Sequence, residues 1–83
     1  MLIRQIINGG HAEFQAVVDR APTNDYALFC LGRSLQMLGR HAEARKPLAL
    51  AATMKPERSD YQAYRDRARD AAERAAEQRN DAA

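Results

Sequence analysis

The sequence predicts an all-α domain of about four helices, paired as antiparallel helix–turn–helix units. Three observations lead there. Turn-forming residues fall at Gly9-Gly10, Ala21-Pro22-Thr23-Asn24, Gly39 and Lys55-Pro56-Glu57-Arg58-Ser59, and the segments between them have helical lengths. Apolar residues recur at steps of three and four, and no stretch alternates with the period of two that a strand needs. Of 83 residues 17 are alanine and only 14 are Leu, Ile, Val or Phe, so the core is thin and built largely from small side chains. So low an aliphatic content would suit a disordered chain if the net charge were large, but 13 basic against 11 acidic residues leave only +2.

The elements follow in order. Residues 11–21 place Phe14, Val17 and Val18 on one short helix, preceded by Leu2, Ile3, Ile6 and Ile7. From Asn24 to Leu38 the residues Leu28, Leu31, Leu35 and Leu38 form one stripe, with Thr23 or Asn24 as the cap and Gly39 as the left-handed stop. The third helix runs from about Arg40 to Met54 with Ala44, Leu48, Ala51 and Ala52 inward; Pro47 is expected to bend it without ending it. Ser59-Asp60-Tyr61-Gln62 fits a capping box, and Tyr61, Tyr64, Ala68, Ala71 or Ala72, and Ala75 give the last helix a narrow apolar stripe. Asp66/Arg69 and Asp70/Arg74 stand at helical pair spacings, and the helix is expected to fray after about Gln78.

One small domain is all that 9.3 kDa allows, which excludes enzymes with a large cofactor domain. A single cysteine, Cys30, excludes an intrachain disulfide, and the apolar run at the start is too short for a signal peptide or a membrane span. A cytoplasmic protein is the expectation. The charge is interleaved, +3 through Arg58 and −1 from Ser59, so no basic arm stands out.

The sequence also repeats itself. Pro22 and Pro56 are 34 residues apart, and Asp25-Tyr26 and Asp60-Tyr61 are 35 apart. Gly10-His11-Ala12-Glu13 returns as Arg40-His41-Ala42-Glu43. Across residues 25–58 the spacing resembles the tetratricopeptide repeat, a helix–turn–helix unit that stacks into a right-handed solenoid. Leu28 and Leu35 stand at its two large positions and Leu31-Gly32 is its L-G pair. Ala44 and Leu48 take its A-x3-F slots, Ala51 is the next small residue, and Pro56 closes the unit. Close helix crossing explains the small residues: Gly32, Ala44 and Ala51 let two backbones approach. The resemblance implies one domain over residues 1–79, made of a partial repeat at 1–24, the full repeat at 25–58 and a capping helix at 59–79, with 80–83 as a frayed tail. The first helix of the earlier repeat would begin before Met1, of which only residues such as Leu2 to Ile7 would remain.

No metalloprotease motif, nucleophile elbow or phosphate-binding glycine loop is present, so no catalytic residue, cofactor or metal site is expected. His11 and His41 fall at equivalent helix starts and read as solvated, and Cys30 as a small packed filler. Arg65, Arg67 and Arg69 could touch the phosphates of a nucleic acid, but acidic neighbours on the same helix weigh against it. The informative set lies off the leucine stripe: Tyr26, Phe29, Arg33, Gln36 and Met37, with Tyr64 on the last helix. The family resemblance implies that this face lines a concave groove holding a peptide or helix of a protein partner, where aromatic and arginine side chains are the usual anchors. The family's grip on a terminal carboxylate is not expected, because Cys30 stands where an asparagine is needed. The competing expectation is that Tyr26 and Phe29 only pack against Tyr61 and Tyr64. A self-assembling module is the alternative reading, with Ile3, Ile6, Ile7, Phe14 and Val17 at a homodimer contact, since the truncated start leaves these side chains short of cover.

Overall fold

The computed structural model describes residues 12–82, all of it helix and short turns. Helix α1 covers residues 12–20 and ends where the Ala21 N–H still reaches the Val17 carbonyl at 2.8 Å, before Pro22 turns the chain. Helix α2 is Asp25–Met37 and is capped by Asn24, whose side-chain oxygen accepts from the Ala27 N–H at 3.1 Å. At its other end Gly39 adopts φ +78°; its N–H reaches the Gln36 carbonyl, and the Arg40 N–H reaches that of Leu35, both at 2.9 Å. This paired closure satisfies two of the helix's orphan carbonyls, and it requires a left-handed residue that glycine supplies without steric cost.

Helix α3 is His41–Met54 and contains Pro47, which is buried. The helix continues through it, as the unbroken alanine and leucine stripe requires. Helix α4, Ser59–Ala82, is the longest.

The core sits where α3 meets its two neighbours. Leu31, Leu35, Ala44, Leu48 and Ala68 form one cluster, and Leu28, Ala51, Ala52 and Tyr61 form the other. Helices α2 and α3 approach closely at Gly32. A Cβ built there would lie 2.6 Å from Leu48 Cδ2 and 3.2 Å from Cδ1, so glycine is what lets α2 and α3 cross at this distance. Leu48 is fully buried beneath it. Phe14 and Val18 of α1 pack against these clusters half-buried, while Val17 faces outward.

Three expectations are corrected. Leu38 lies outside the core, 43% exposed, because the helix stops at Met37 and the Gly39 turn swings it outward. The last helix is continuous to Ala82, since alanines and alternating charges give it no internal stop. The capping box at Ser59 does not form. Ser59 is already in the helix, the Gln62 side-chain amide donates to the Pro56 carbonyl, and Asp60 is paired with Arg58 instead. The expected Asp66–Arg69 pair is present at 3.5 Å, but the expected Asp70–Arg74 pair is replaced by Asp70 accepting from Arg69. Ile3, Ile6, Ile7 and His11 lie outside the described residues.

A candidate partner-binding face

The face of α2 opposite its leucines meets the first half of α4. Phe29 stacks on Tyr61 with centroids 4.6 Å apart and meets Tyr64 edge-on at 5.6 Å. Such aromatic pairs add about 0.5–1.5 kcal/mol beyond their buried area. Tyr61 is itself fully buried, and its hydroxyl donates to Asp25 Oδ2 at 2.8 Å, tying the start of α2 to the start of α4. Burial, and then this bond to a carboxylate, push its hydroxyl up to about 12, since both disfavour the phenolate.

Arg33 is held from two sides. Its guanidinium lies 4.0 Å from the Tyr64 ring centre and donates to Gln36 Oε1 at 2.7 Å. The Gln36 amide in turn donates to the Tyr64 carbonyl at 3.0 Å, a second tie between α2 and α4. Tyr26 and Met37 flank this set at either end and are each 63% exposed. The Cys30 thiol, one turn from Tyr26, raises that hydroxyl above its ordinary range, with Arg58 pulling slightly the other way.

Four of the six residues expected on this face are in direct contact with one another. Phe29, Arg33, Gln36 and Tyr64 form one bonded cluster, with Met37 lining a cavity beside it, while Tyr26 stands out into solvent clear of the aromatic stack. The packing expectation therefore holds for Phe29 and fails for Tyr26. That cavity, of about 450 Å³, adds residues that the sequence did not single out for this face, among them His41, Arg67, Asp70 and Arg74. The spacing Tyr64, Arg67, Ala71, Arg74 along one helical stripe was the available signal.

The arginines once weighed for nucleic acid are largely neutralised. Arg65 pairs with Asp66 at 3.1 Å, and Arg69 with Asp66 and Asp70, leaving Arg67 on its own face. Among the described residues no group of three or more His, Cys, Asp or Glu could hold a metal ion, and no helix is long and apolar enough to cross a membrane.

Closely crossed helical hairpins joined by proline- and glycine-marked turns define a helical-repeat domain. Residues 13–46 match the family model of the tetratricopeptide repeat, and the chain carries that repeat. The match starts in α1, at Glu13 instead of Asp25, and takes in all of α2 and the opening of α3. The match overlaps the window read from the sequence spacing over residues 25–46. Searches of curated proteins and of solved structures each found no match. Tetratricopeptide repeats generally serve as protein–protein interaction modules, and this is the broad class to which the chain is assigned.

Proposed function

We propose that the chain is a non-enzymatic adaptor that holds a peptide or helix of a protein partner on the face shared by α2 and α4. Tyr26 and Met37 supply exposed apolar contact, Phe29 and Tyr64 form the floor, and Arg33 meets an acidic group of the partner. The observation that carries this reading is the fixing of Arg33. A long flexible side chain normally loses rotamer freedom on binding, and here the Tyr64 ring and Gln36 have already removed much of it. A partner would meet a surface arranged in advance. The test is a pull-down from the source cell extract with wild type, Tyr26→Ala and Arg33→Glu side by side. A partner held by wild type and lost by both variants, at unchanged helix content, supports the face. A partner retained by both variants overturns it.

A second reading, self-association, is favoured by a separate observation. An open cavity of about 870 Å³ lies between α1, α2 and α3 with Val18, Leu28, Leu31 and Leu50 in its wall, and Val17 and Leu50 are 40% and 41% exposed. An apolar opening of this kind suits a two-fold contact. Half-burial of Phe14 against its own core reduces what that residue can contribute. Sedimentation equilibrium from micromolar to millimolar decides it: a constant monomer mass sinks the homodimer, and Val17→Asp should shift any dimer toward monomer.

A further inference from the structure

The cavity beside Met37 is lined by Arg33 and Gln36 of α2, His41 at the start of α3, and Arg67, Asp70 and Arg74 of α4. Three helices therefore bring three guanidinium groups and an imidazole to one opening. Only one carboxylate is there, and Arg69, from outside the cavity, already bonds it at 3.4 Å. Four other arginines, Arg40, Arg58, Arg65 and Arg69, are each paired with an aspartate or glutamate. Among the described residues no carboxylate lies within ion-pair distance of Arg33, Arg67 or Arg74. Arg33 and Arg67 also share one ring: their guanidinium carbons are 4.0 Å and 5.0 Å from the Tyr64 centroid. Both guanidinium groups thus contact the same ring and line the same cavity, and neither has a carboxylate partner among the described residues. At the edge of the same cavity His41 Nδ1 is buried and has no hydrogen-bond partner among the described residues. Buried polar atoms are normally paired, so this one marks unused hydrogen-bonding capacity.

We propose that this cavity receives the phosphoryl dianion of a phosphorylated side chain on the protein partner, gripped by Arg33, Arg67 and Arg74. The proposal rests on the reading of the α2–α4 face given above. Charge selects the ligand. A single carboxylate would leave most of the positive charge uncompensated, whereas a phosphate monoester brings between one and a half and two negative charges and three acceptor oxygens. Guanidinium forks match those oxygens in pairs, which a point charge cannot do. Position selects the source. Arg33, Gln36 and Met37 belong both to the cavity and to the proposed groove, so a segment lying across Phe29 and Tyr64 would bring its side chain to the opening.

The experiment compares inorganic phosphate, a short leucine- and alanine-flanked peptide bearing one phosphoserine, and the same peptide with serine or glutamate. Binding is followed by calorimetry at constant ionic strength. The phosphoserine peptide is expected to bind about tenfold or more tighter than the serine form, as added charge-assisted hydrogen bonds imply, and tighter than the glutamate form and inorganic phosphate. Arg67→Gln and Arg74→Gln should each weaken phosphopeptide and phosphate binding severalfold at unchanged helix content, while Arg45→Gln, outside the cavity, should not. Equal binding of phosphoserine and serine peptides, or equal loss in Arg45→Gln, overturns the pocket. Inorganic phosphate binding as tightly as the phosphopeptide overturns the partner as its source. A single-stranded oligonucleotide that binds tighter than the phosphopeptide, and is released by the same arginine variants, also overturns it. The groove reading fails separately: it does so if Tyr26→Ala leaves the serine peptide's affinity unchanged while the arginine variants still abolish phosphate binding.

Discussion

Replacing Gly32 by alanine probes the close crossing of α2 and α3. On helix propensity alone the change should stabilise α2 by about 0.8–1.0 kcal/mol. The new methyl, however, would fall 2.6 Å from Leu48 Cδ2, where carbon atoms prefer about 3.5–4.0 Å. Either Leu48 leaves its rotamer or the two helices part by about an ångström. Leu48 has no room to move, being fully buried among Leu31, Leu35, Ala44 and Ala68. Overpacking of this kind costs about 1–3 kcal/mol, so the net effect is a loss of up to about 2 kcal/mol, and Gly32→Leu should lose more. In a domain of this size each kcal/mol moves Tm by roughly 4–8 °C. Leu48→Ala alone should cost about 2–5 kcal/mol by opening a cavity. That cavity lies where the Gly32→Ala methyl would go. The double variant should therefore be about 1–3 kcal/mol more stable than the two single losses added together. Urea unfolding followed by helical ellipticity measures all four corners of the cycle. A Gly32→Ala protein that melts higher than wild type, or a cycle that is additive, refutes the crossing geometry.

Three further outcomes follow from the same contacts. Because Tyr61 is raised to about 12 in the fold against about 10 unfolded, the folded state keeps its proton longer; stability is intact below pH 10 and declines as pH rises through 12. Tyr61→Phe should flatten that alkaline decline in pH-dependent unfolding, and an unchanged slope would assign it to another group. Gly39→Ala should cost about 1–2 kcal/mol, because the residue needs φ +78° and the contact environment around it is open, so only backbone strain is added; a neutral result in thermal melts would discount the paired closure of α2. Asn24→Ala should cost about 1 kcal/mol by leaving the Ala27 N–H without its side-chain acceptor, a loss that Asn24→Asp should largely avoid.

Much of the fold was legible because the repeating chemistry is local. Leu28, Leu31 and Leu35 on one stripe, and Ala44, Leu48, Ala51 and Ala52 on the next, are buried as helical spacing requires. Gly32 announced a close crossing by interrupting a good helix former's position. Leu38 was misread since periodicity alone does not say where a helix stops, and the Gly39 turn removes it from the stripe. The capping box was misread because Ser59 lies within the helix and Gln62 donates to the Pro56 carbonyl, while Arg58 bonds Asp60 and holds its carboxyl below the usual range. For the candidate site the sequence supplied Phe29, Arg33 and Gln36 at successive helical steps of four and three, and Tyr64 at the matching repeat position 35 residues after Phe29. Arg67, Arg74 and His41 were not legible as a group. Arg67 and Arg74 share a stripe with Tyr64, but their meeting with Arg33 and His41 depends on how α2, α3 and α4 are oriented.

The unequal anchoring of α4 has a consequence for how the domain opens. Tyr61, Ala68 and Ala72 are buried, Ala75 is half-buried, and from Ala76 to Arg79 every residue is exposed. The last turns are therefore a helix growing from a rooted stem. A segment that short has no stability of its own in water, so it persists only by extending hydrogen bonds already formed nearer the root. Amide protons beyond Ala75 should exchange through fraying at small free-energy cost, whereas those near Tyr61 and Ala68 should await opening of the whole unit. Heating would then shed ellipticity gradually before the cooperative step, and the calorimetric enthalpy would count fewer residues than the helix content suggests.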